Sequence, residues 1–336
     1  MKVFITGITG FIGLNLLGKL LKKNNNLTCY IRNSKYKSEL EKKGCKVVIG
    51  ELSDYNKLVK SLKRIDVVIH LVGIGNVSEN SDEAYKLYQK INVEGTKTIA
   101  EASIKAKVKK FIYLSSVAAM GSYCNGIMDE NSKPNPVIPY EKSKWESELA
   151  LHETSSKSKL KVFILRPTWV IGKGDRKKDI IRLVNMIKKG FVPLLSGGKF
   201  HTILVSVDSV SDAIICCLNK NTKIFGTYII SDKKSYKQRE LVNMITNSLI
   251  KNNIISRKPI IIPIPEPLML VMGDIFEYLA KIFKTQPFIS RKRVYSMSQD
   301  RNYSISRAKK ELGFSPKPVK LSIDDEIKWL KKQRKI

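Results

Sequence analysis

The first thirteen residues of the chain, MKVFITGITGFIG, constrain its fold more than any other segment. A short apolar run at residues 3–5 is typical of a buried strand, and it leads into Gly7, Gly10 and Gly13. An apolar helical pattern follows over residues 14–21. A strand, a glycine turn and a helix in this order form a phosphate-binding turn, because the helix N-terminus offers free N–H groups to an anion. The segment therefore predicts dinucleotide binding.

The bulk composition is that of a globular protein without a spanning segment. The 336 residues suffice for one large or two modest domains, and 43% of them are hydrophobic. No apolar run reaches the ~20 residues that cross a bilayer, and the N-terminus does not resemble a signal peptide. We therefore expect a cytoplasmic protein.

The cysteines favour neither disulfides nor a zinc site. Their number is odd and they lack C-x-x-C spacing, which indicates a reducing compartment. His152 and His201 have no partner at ligand spacing, so no metal site is predicted. The five cysteines are Cys29, Cys45, Cys124, Cys216 and Cys217.

The formal net charge of +31 is high, but the lysines are spread along the whole chain. A solvated lysine-rich surface explains this distribution more simply than a nucleic-acid site, so we expect no nucleic-acid partner. Contact with an anionic membrane surface is a lesser alternative.

Apolar strands alternate with helical patterns through the first half of the chain. This order predicts an α/β fold, a doubly wound parallel sheet of the Rossmann type, with a smaller, mostly helical C-terminal substrate domain. The predicted cofactor domain covers residues 1–168, to which 202–232 return, and the substrate-binding part covers 169–201 and 233–336. The predicted strands are 3–6, 27–32, 46–49, 66–72, 111–115 and 162–166, and the helices lie near 11–22, 54–63, 83–106 and 141–156.

A second motif carries candidate chemistry. Tyr140 and Lys144 are four residues apart at a predicted helix start, so their side chains share one helix face. A nearby ammonium favours the phenolate form of a tyrosine, which can then exchange a proton with an alcohol or carbonyl. A surface pair is the alternative for this motif alone. Ser115 and Ser116 end a predicted strand at the edge where such sheets bind ligands, which favours the catalytic interpretation.

Taken together, these motifs resemble the extended short-chain dehydrogenase/reductase family, the epimerase/dehydratase group. The resemblance extends over nearly the whole chain. The matching segments are TGITGFIG at 6–13, DVVIHL at 66–71, NVEGT at 92–96, LSS at 114–116, Tyr140 with Lys144, RP at 166–167, VDSV at 207–210 and AKKELGFSP at 308–316.

The resemblance implies roles for individual residues. Ser116 would hydrogen-bond the reacting oxygen, Tyr140 would act as acid–base, and Lys144 would hold the nicotinamide ribose. His70 is expected to pack beside the cofactor rather than to react. The implied cofactor-binding residues are Thr6, Gly7, Thr9, Gly10, Phe11, Ile12, Gly13, Arg32, Glu51, Leu52, Leu71, Val72, Gly73, Asn92, Leu114, Tyr140, Lys144 and Pro167.

The resemblance also implies a homodimer, formed by the helix at 92–106 and the helix that starts at Tyr140. Ile99, Trp145 and Leu149 are the candidate contact residues. Some of these positions must instead face the sheet.

Arg32 bears on the cofactor. It ends the second predicted strand, where an NAD-preferring site usually has an acidic residue about twenty residues past the glycines. An arginine instead offers a planar pair of donors for a 2′-phosphate, so we predict NADP, with NAD as the alternative.

Departures from the sugar-nucleotide enzymes of the family bear on the small-molecule substrate. Val117 and Ala118 replace the Asp-Glu pair of the 4,6-dehydratases, Trp169 stands where an Asn is common, and Thr202 stands near the place of a diphosphate-binding Arg. The pattern is closer to the 3β-hydroxysteroid dehydrogenase and dihydroflavonol reductase branch.

We therefore predict hydride transfer to or from a secondary alcohol or ketone. A nucleotide-sugar 4-epimerase is the first alternative, and a non-catalytic NADP-binding subunit is the second. The segment 263–283 is predicted to be an amphipathic helix whose apolar face packs in the core, with a substrate lid or a membrane contact as alternatives.

Overall fold

The structure is a computed structural model that describes residues 1–23, 26–75, 82–121, 126–175, 179–220, 225–283, 285, 287, 289–299 and 302–336. The strands within these residues are β1 (Lys2–Thr6), β2 (Asn26–Ile31), β3 (Lys46–Ile49), β4 (Val67–His70), β5 (Lys110–Leu114), β6 (Ile127–Met128), β7 (Lys161–Pro167), β8 (Trp169–Ile171), β9 (Phe191–Leu195), β10 (His201–Thr202), β11 (Leu204–Ser206), β12 (Phe225–Ile230), β13 (Tyr236–Lys237), β14 (Ile260–Ile264) and β15 (Asn302–Tyr303).

The α-helices of the same residues are α1 (Phe11–Leu21), α2 (Lys37–Lys42), α3 (Tyr55–Ser61), α4 (Asp82–Tyr88), α5 (Gly95–Lys105), α6 (Pro139–Ser156), α7 (Asp179–Lys188), α8 (Val207–Asn219), α9 (Gln238–Lys251), α10 (Glu266–Ile282), α11 (Arg291–Met297) and α12 (Val319–Lys332). Wider π-helical turns occupy Gln89–Glu94 and Ala308–Leu312, and 3₁₀ turns occupy Ser34–Tyr36, Val117–Met120 and Ser196–Gly198.

The main sheet of the described residues has seven parallel strands in the order β12-β7-β5-β4-β1-β2-β3. The chain builds outward from β1 through β2 to β3, then returns to the other side of β1 with β4. Thr6 is consequently in register with Tyr30 on one side and with His70 on the other. This reversal of direction beside β1 is the switch point at which open α/β sheets bind ligands. The predicted fold class is confirmed.

The sheet is buried on both faces, as its nearly continuous apolar strands predict. Along β1, Val3 and Ile5 point into one apolar cluster with Leu16 of α1, whereas Phe4 points into a second cluster on the opposite face. This alternation follows from the two-residue period of a strand. Because helices cover both faces, a ligand can reach the sheet only at its edges. The cleft described below lies at the carboxyl edge.

A third apolar cluster lies mainly in the part of the chain predicted to bind substrate. It joins α7, α9 and α12 with short strands, and Leu204 of β11 contributes to it. β8 pairs in parallel with β11, and β9 pairs in parallel with β14. The predicted domain boundaries remain a prediction.

The structure differs from the sequence-based prediction in several elements. The helix predicted over 83–106 is divided by the π-helical turn Gln89–Glu94, and α2 and α7 were not predicted. The substrate-binding part, predicted to be mostly helical, includes strand β14. The run IIIPI becomes a strand because β9 is available as a partner, and local sequence does not encode that long-range pairing.

The prediction that the apolar face of the 263–283 helix packs in the core is wrong. The structure contains this helix as α10, but it buries only Met269, Gly273 and Ala280. Leu268 and Ile275 are 53% and 52% exposed. An amphipathic pattern shows that one face is apolar, but it does not show what covers that face.

Four cysteines, Cys29, Cys45, Cys216 and Cys217, are free thiols, and Cys124 lies outside the described residues. Among the helices of the described residues, none has the length and apolar content needed to cross a bilayer.

A buried acid in the C-terminal helix makes stability depend on pH. Glu326 of α12 is 2% exposed. Burial, followed by the nearby charge of Asp175, raises its pKa from 4.5 to about 8. The folded protein therefore holds this proton at pH values where the unfolded chain has lost it. Stability is lost as the pH rises from about 4.5 through 8.

We expect Glu326→Gln to remove this loss, because the amide carries no charge to desolvate. The measurement is the denaturation midpoint of both proteins between pH 5 and 9. The variant should be as stable as wild type at the acidic end and more stable at the basic end. Glu94→Gln, at an exposed position, is the control and should leave the profile unchanged. Parallel profiles for wild type and Glu326→Gln would contradict the shift.

Candidate active site

The glycine turn after β1 has the geometry of an anion-binding site. Gly7 has a φ of +74°, and a Cβ there would lie 2.8 Å from the Leu71 carbonyl carbon. A Cβ on Gly13 would overlap the Gly7 carbonyl oxygen. Helix α1 begins at Phe11. Its N-cap is Gly10, so no side chain caps the first N–H groups, and the first turn has no acidic residue. The first N–H groups of α1 and its dipole therefore favour a phosphate.

A cleft of about 370 Å³ extends from this turn along the ends of β1, β2 and β3. Its lining includes seven predicted cofactor-binding residues: Thr6, Gly7, Thr9, Arg32, Glu51, Leu52 and Val72. It also includes residues that sequence reasoning missed: Tyr30, Ile31, Asn33, Lys35, Tyr36, Gly50, Ser53, Ile74, Lys90 and Ile91.

Two of the missed residues, Lys35 and Tyr36, line the cleft together with Arg32. Lys35 and Tyr36 lie in a 3₁₀ turn. Asn33 caps the start of this turn, because its side chain accepts a hydrogen bond from the Lys35 N–H at 2.9 Å. The Tyr30 hydroxyl donates to the Glu51 carbonyl oxygen at 2.8 Å and so ties β2 to the segment after β3. The basic residues close behind Arg32 were the available sequence signal.

Eight further predicted cofactor-binding residues lie at or just after strand ends or at the start of α1. Phe11, Ile12 and Gly13 open α1, and Gly10 precedes it. Leu114 and Pro167 are the last residues of β5 and β7, and Leu71 and Gly73 follow β4. Since the strands are parallel, these positions share the carboxyl edge of the sheet.

Asn92 holds the segment after β4 in place. Its side-chain oxygen accepts the Ile74 N–H at 2.9 Å, and its amide nitrogen donates to the Ile74 carbonyl at 3.1 Å and to Ser143 of α6 at 3.0 Å. Asn92 sits in the π-helical turn that divides α4 from α5, and such turns are frequent at functional sites. The geometry thus gives Asn92 a positioning task.

Lys144 is a buried cation at the end of β5. Its Nζ donates to the Leu114 carbonyl oxygen at 3.2 Å and to the Tyr113 hydroxyl at 3.3 Å. Burial lowers the pKa of Lys144, while the nearby Tyr140 and Glu148 act in the opposite direction. A Cβ on Gly73 would lie 2.8 Å from Nζ, so any other residue there would require the lysine side chain to shift.

Tyr140 precedes Lys144 by one turn on α6, as the spacing predicts. Its ring is half-buried and lies 5.8 Å from the Tyr88 ring, centroid to centroid. A Cβ on Gly75 would come within 3.3 Å of the Tyr140 ring. The ring is therefore bounded by α4 on one side and by the segment after β4 on the other.

The two strand-end serines are used differently. Ser116 is half-buried, and its hydroxyl accepts the Ala118 N–H at 3.1 Å, which starts the 3₁₀ turn Val117–Met120. Ser115 points inward and donates to the carboxylate of Glu148. Of the two, Ser116 is the one whose hydroxyl remains at the edge of the sheet.

Sequence reasoning missed Glu148 as a partner for this region. Its carboxylate receives Arg166 Nη2 at 2.6 Å and Nε at 3.1 Å, and both side chains are 4% exposed. A buried ion pair of this kind ties α6 to β7 behind the site. Glu148 lies one turn beyond Lys144 on the same helix face, which was the signal that could have found it.

His70 ends β4 in a fully buried position between two threonines. Its Nδ1 lies 2.6 Å from the Thr6 hydroxyl and its Nε2 lies 3.2 Å from the Thr96 hydroxyl. Burial, followed by the charge of Lys144, lowers its pKa to about 3. The ring is therefore neutral at physiological pH and joins β1, β4 and α5.

Comparison with known proteins identifies the family of the chain. A sequence model of the NAD dependent epimerase/dehydratase family matches residues 3–230. The chain belongs to this family.

Two curated relatives and one solved structure show the range of its members. The chain is 26% identical to a UDP-glucose 4-epimerase of Vibrio cholerae over 94% of its own length and 90% of that protein. It is 27% identical to a decarboxylating sterol-4-alpha-carboxylate 3-dehydrogenase of Dictyostelium discoideum, over 94% and 96% of the two chains. The UDP-glucuronic acid 4-epimerase from Bacillus cereus in complex with NAD shares the fold, with 20% identity, a TM-score of 0.75 and 99% coverage of each chain.

This family member is an enzyme, an oxidoreductase that uses a nicotinamide dinucleotide. The residues present fit such a cofactor. A Cβ on Gly7 or Gly13 would collide with neighbouring backbone, so no side chain occupies the turn at these positions, and the cleft beside it continues to the ends of β2 and β3.

Proposed function

We propose that Ser116, Tyr140 and Lys144 carry a reversible oxidation of a secondary alcohol to a ketone. The observation that carries the proposal is the buried Lys144 ammonium, held by Leu114 at the end of the strand that leads into Ser116. The bound nicotinamide supplies or accepts the hydride. The glycine turn and the cleft would hold the dinucleotide, and the chain's own residues handle the proton.

Each of the three side chains has a distinct task in this proposal. Tyr140 takes the hydroxyl proton during oxidation and returns it during reduction. The Lys144 ammonium stabilises the negative charge that forms on the tyrosine oxygen, because little water screens a buried charge. The Ser116 hydroxyl orients the substrate oxygen between them.

Tyr140→Phe tests the proton transfer. We expect turnover to fall by about 10²–10⁴-fold, because the phenol is the acid–base group, while cofactor affinity is retained. Turnover and cofactor fluorescence are measured on the same preparation. Tyr55→Phe, at a partly exposed position remote in sequence, is the control and should behave as wild type. Wild-type turnover in Tyr140→Phe would exclude this mechanism.

We propose NADP as the preferred cofactor. Arg32 and Lys35 both line the cleft at the end of β2, where the adenosine ribose of a dinucleotide lies in this type of fold. Two cations there favour a 2′-phosphate over a bare hydroxyl. The Bacillus cereus structure holds NAD, so NAD is the alternative.

The Arg32→Ala variant tests the preference for NADP over NAD. Loss of a charged hydrogen bond should weaken NADP binding roughly ten- to hundredfold and leave NAD binding nearly unchanged. Titration of cofactor fluorescence gives both dissociation constants. Tighter binding of NAD than of NADP by wild type, or equal weakening of both by the variant, would overturn the preference.

We propose a hydrophobic cyclic alcohol as the substrate class. Trp169 is partly buried against the third apolar cluster, and Thr202 replaces a cationic side chain in the same part of the chain. The sterol dehydrogenase relative supports this class. The UDP-glucose 4-epimerase relative supports the alternative, a nucleotide-sugar 4-epimerase with the same Tyr140 chemistry.

Calorimetric titration at cofactor saturation distinguishes the two substrate classes. We expect a sterol-like cyclic alcohol to bind, since apolar burial contributes about 25 cal/mol per Å² without any charged partner. UDP-glucose should bind weakly or not at all. Micromolar binding of UDP-glucose without binding of the apolar alcohol would establish the epimerase alternative.

We propose that the enzyme is a homodimer in the cytoplasm, with residues 1–168 and 202–232 as its cofactor domain. The predicted contact residue Ile99 is wrong for this role, because it is fully buried on the sheet side of α5. Leu149 of α6 is 48% exposed and remains a candidate. Tyr85 and Gln89 both contact Glu146, so α4 and α6 present one continuous surface.

Light scattering at micromolar concentration should give twice the chain mass of 38.1 kDa. Leu149→Asp should shift the mass toward one chain, because an unpaired charge in an isologous contact is repeated on both sides. Leu321→Asp, on the equally exposed surface of α12, should leave the dimer intact. A wild-type mass of one chain would reject the homodimer.

A further inference from the structure

Helix α10 presents an apolar surface that nothing in the described residues covers. We call this surface the α10 apolar face; it consists of Leu268, Val271, Ile275, Tyr278, Leu279 and Ile282, which are 40–66% exposed. At 3.6 residues per turn, these positions fall within an arc of about 100° on one side of the helix. Single exposed apolar residues are ordinary, whereas a continuous stripe marks an interaction site.

The opposite side of α10 packs against the protein, and two of the helix's acidic residues contact α11. Arg291 of α11 binds Asp274 at 2.5 Å, and its N–H donates to Glu277 at 3.0 Å. A Cβ on Gly273 would lie 2.8 Å from the Arg291 nitrogen, so this glycine allows α11 to approach closely. The helix is therefore fixed with its acidic side toward α11 and its apolar face outward.

The strand before α10 also exposes apolar side chains. Ile260 and Ile262 of β14 are 71% and 44% exposed, and Phe191, the β9 partner of Ile260, is 46% exposed. Ile261, between them, packs into the third apolar cluster. Alternate side chains of β14 therefore face outward and inward, so one side of this two-stranded sheet is exposed. β14 leads directly into α10.

The stretch of sequence that carries this surface is basic. Residues 251–299 include eight basic and three acidic residues, within a chain of net charge +31. Arg257, Lys258 and Lys281 are exposed on either side of the apolar residues in sequence. An apolar stripe with basic flanks is complementary to a surface that is negative outside and apolar beneath.

We propose that the α10 apolar face docks on the surface of an anionic phospholipid bilayer, with the helix lying in the interface. A second copy of the chain is a poorer occupant, because it would bring two positively charged surfaces together. Since α10 does not have the length and apolar content to cross a bilayer, the association is peripheral. The docking is independent of which substrate the enzyme oxidises.

Vesicle co-sedimentation tests the docking. Full-length protein is mixed with vesicles of equal parts phosphatidylcholine and phosphatidylglycerol, and in parallel with phosphatidylcholine alone. We expect binding to the anionic vesicles that is at least about tenfold tighter than to the neutral ones and that weakens in high salt. Equal binding to both vesicle types, or no binding to either, would overturn the proposal.

Variants assign the binding to this helix. Ile275→Asp should weaken binding to anionic vesicles at least about tenfold, because it places a charge in the centre of the apolar face. Ile275→Phe retains apolar area and should bind as wild type. Leu321→Asp carries the same charge change on an equally exposed residue elsewhere and should also bind as wild type. Unchanged thermal stability and cofactor binding show that each variant is folded.

Two results would contradict the role of α10. Wild-type vesicle binding by Ile275→Asp would show that the lysine-rich surface alone binds lipid. The second result combines two observations: wild type does not bind vesicles, and the Ile275→Asp variant has a lower molecular mass in solution than wild type. That result would show that the face is an interface between two copies.

Discussion

The burial of one ammonium group organises the carboxyl edge of the sheet. A charged Lys144 is stable away from water only if polar groups surround it, and the Leu114 carbonyl and the Tyr113 hydroxyl supply them. These contacts bind α6 to the end of β5. Tyr140, one turn earlier on the helix, is thereby brought to the edge where Ser116 follows the strand.

The rest of the site depends on that alignment being rigid. Glu148, one turn beyond Lys144, pairs with the buried Arg166 and with Ser115, so α6 is attached to β5 and β7 along its inner face. On the other side, Asn92 holds the Ile74 backbone against Ser143 of the same helix. A helix fixed at several points along its length keeps a catalytic side chain in position better than a loop does.

The surface of α10 has a different arrangement. The lysine-rich composition leaves most cations solvated, yet on α10 Asp274 and Glu277 face Arg291 and the apolar residues face outward. A core helix would show the reverse. Exposed apolar area is unfavourable in water, and a continuous apolar stripe on a protein surface is typical of an interaction site.

The sequence by itself determined what rests on short-range geometry: the strand–glycine–helix turn at Gly7–Gly13, the pairing of Tyr140 with Lys144 across one helical turn, and the alternation of strands and helices that specifies a parallel sheet. Only the tertiary structure decided the Asn92–Ile74 contact, the Glu148–Arg166 ion pair, the pairing of β14 with β9, the burial of Ile99 and the exposure of α10. The physical reason is that periodicity specifies which residues share a face, whereas the partner of that face lies far away in sequence and is chosen by the packing of the whole chain.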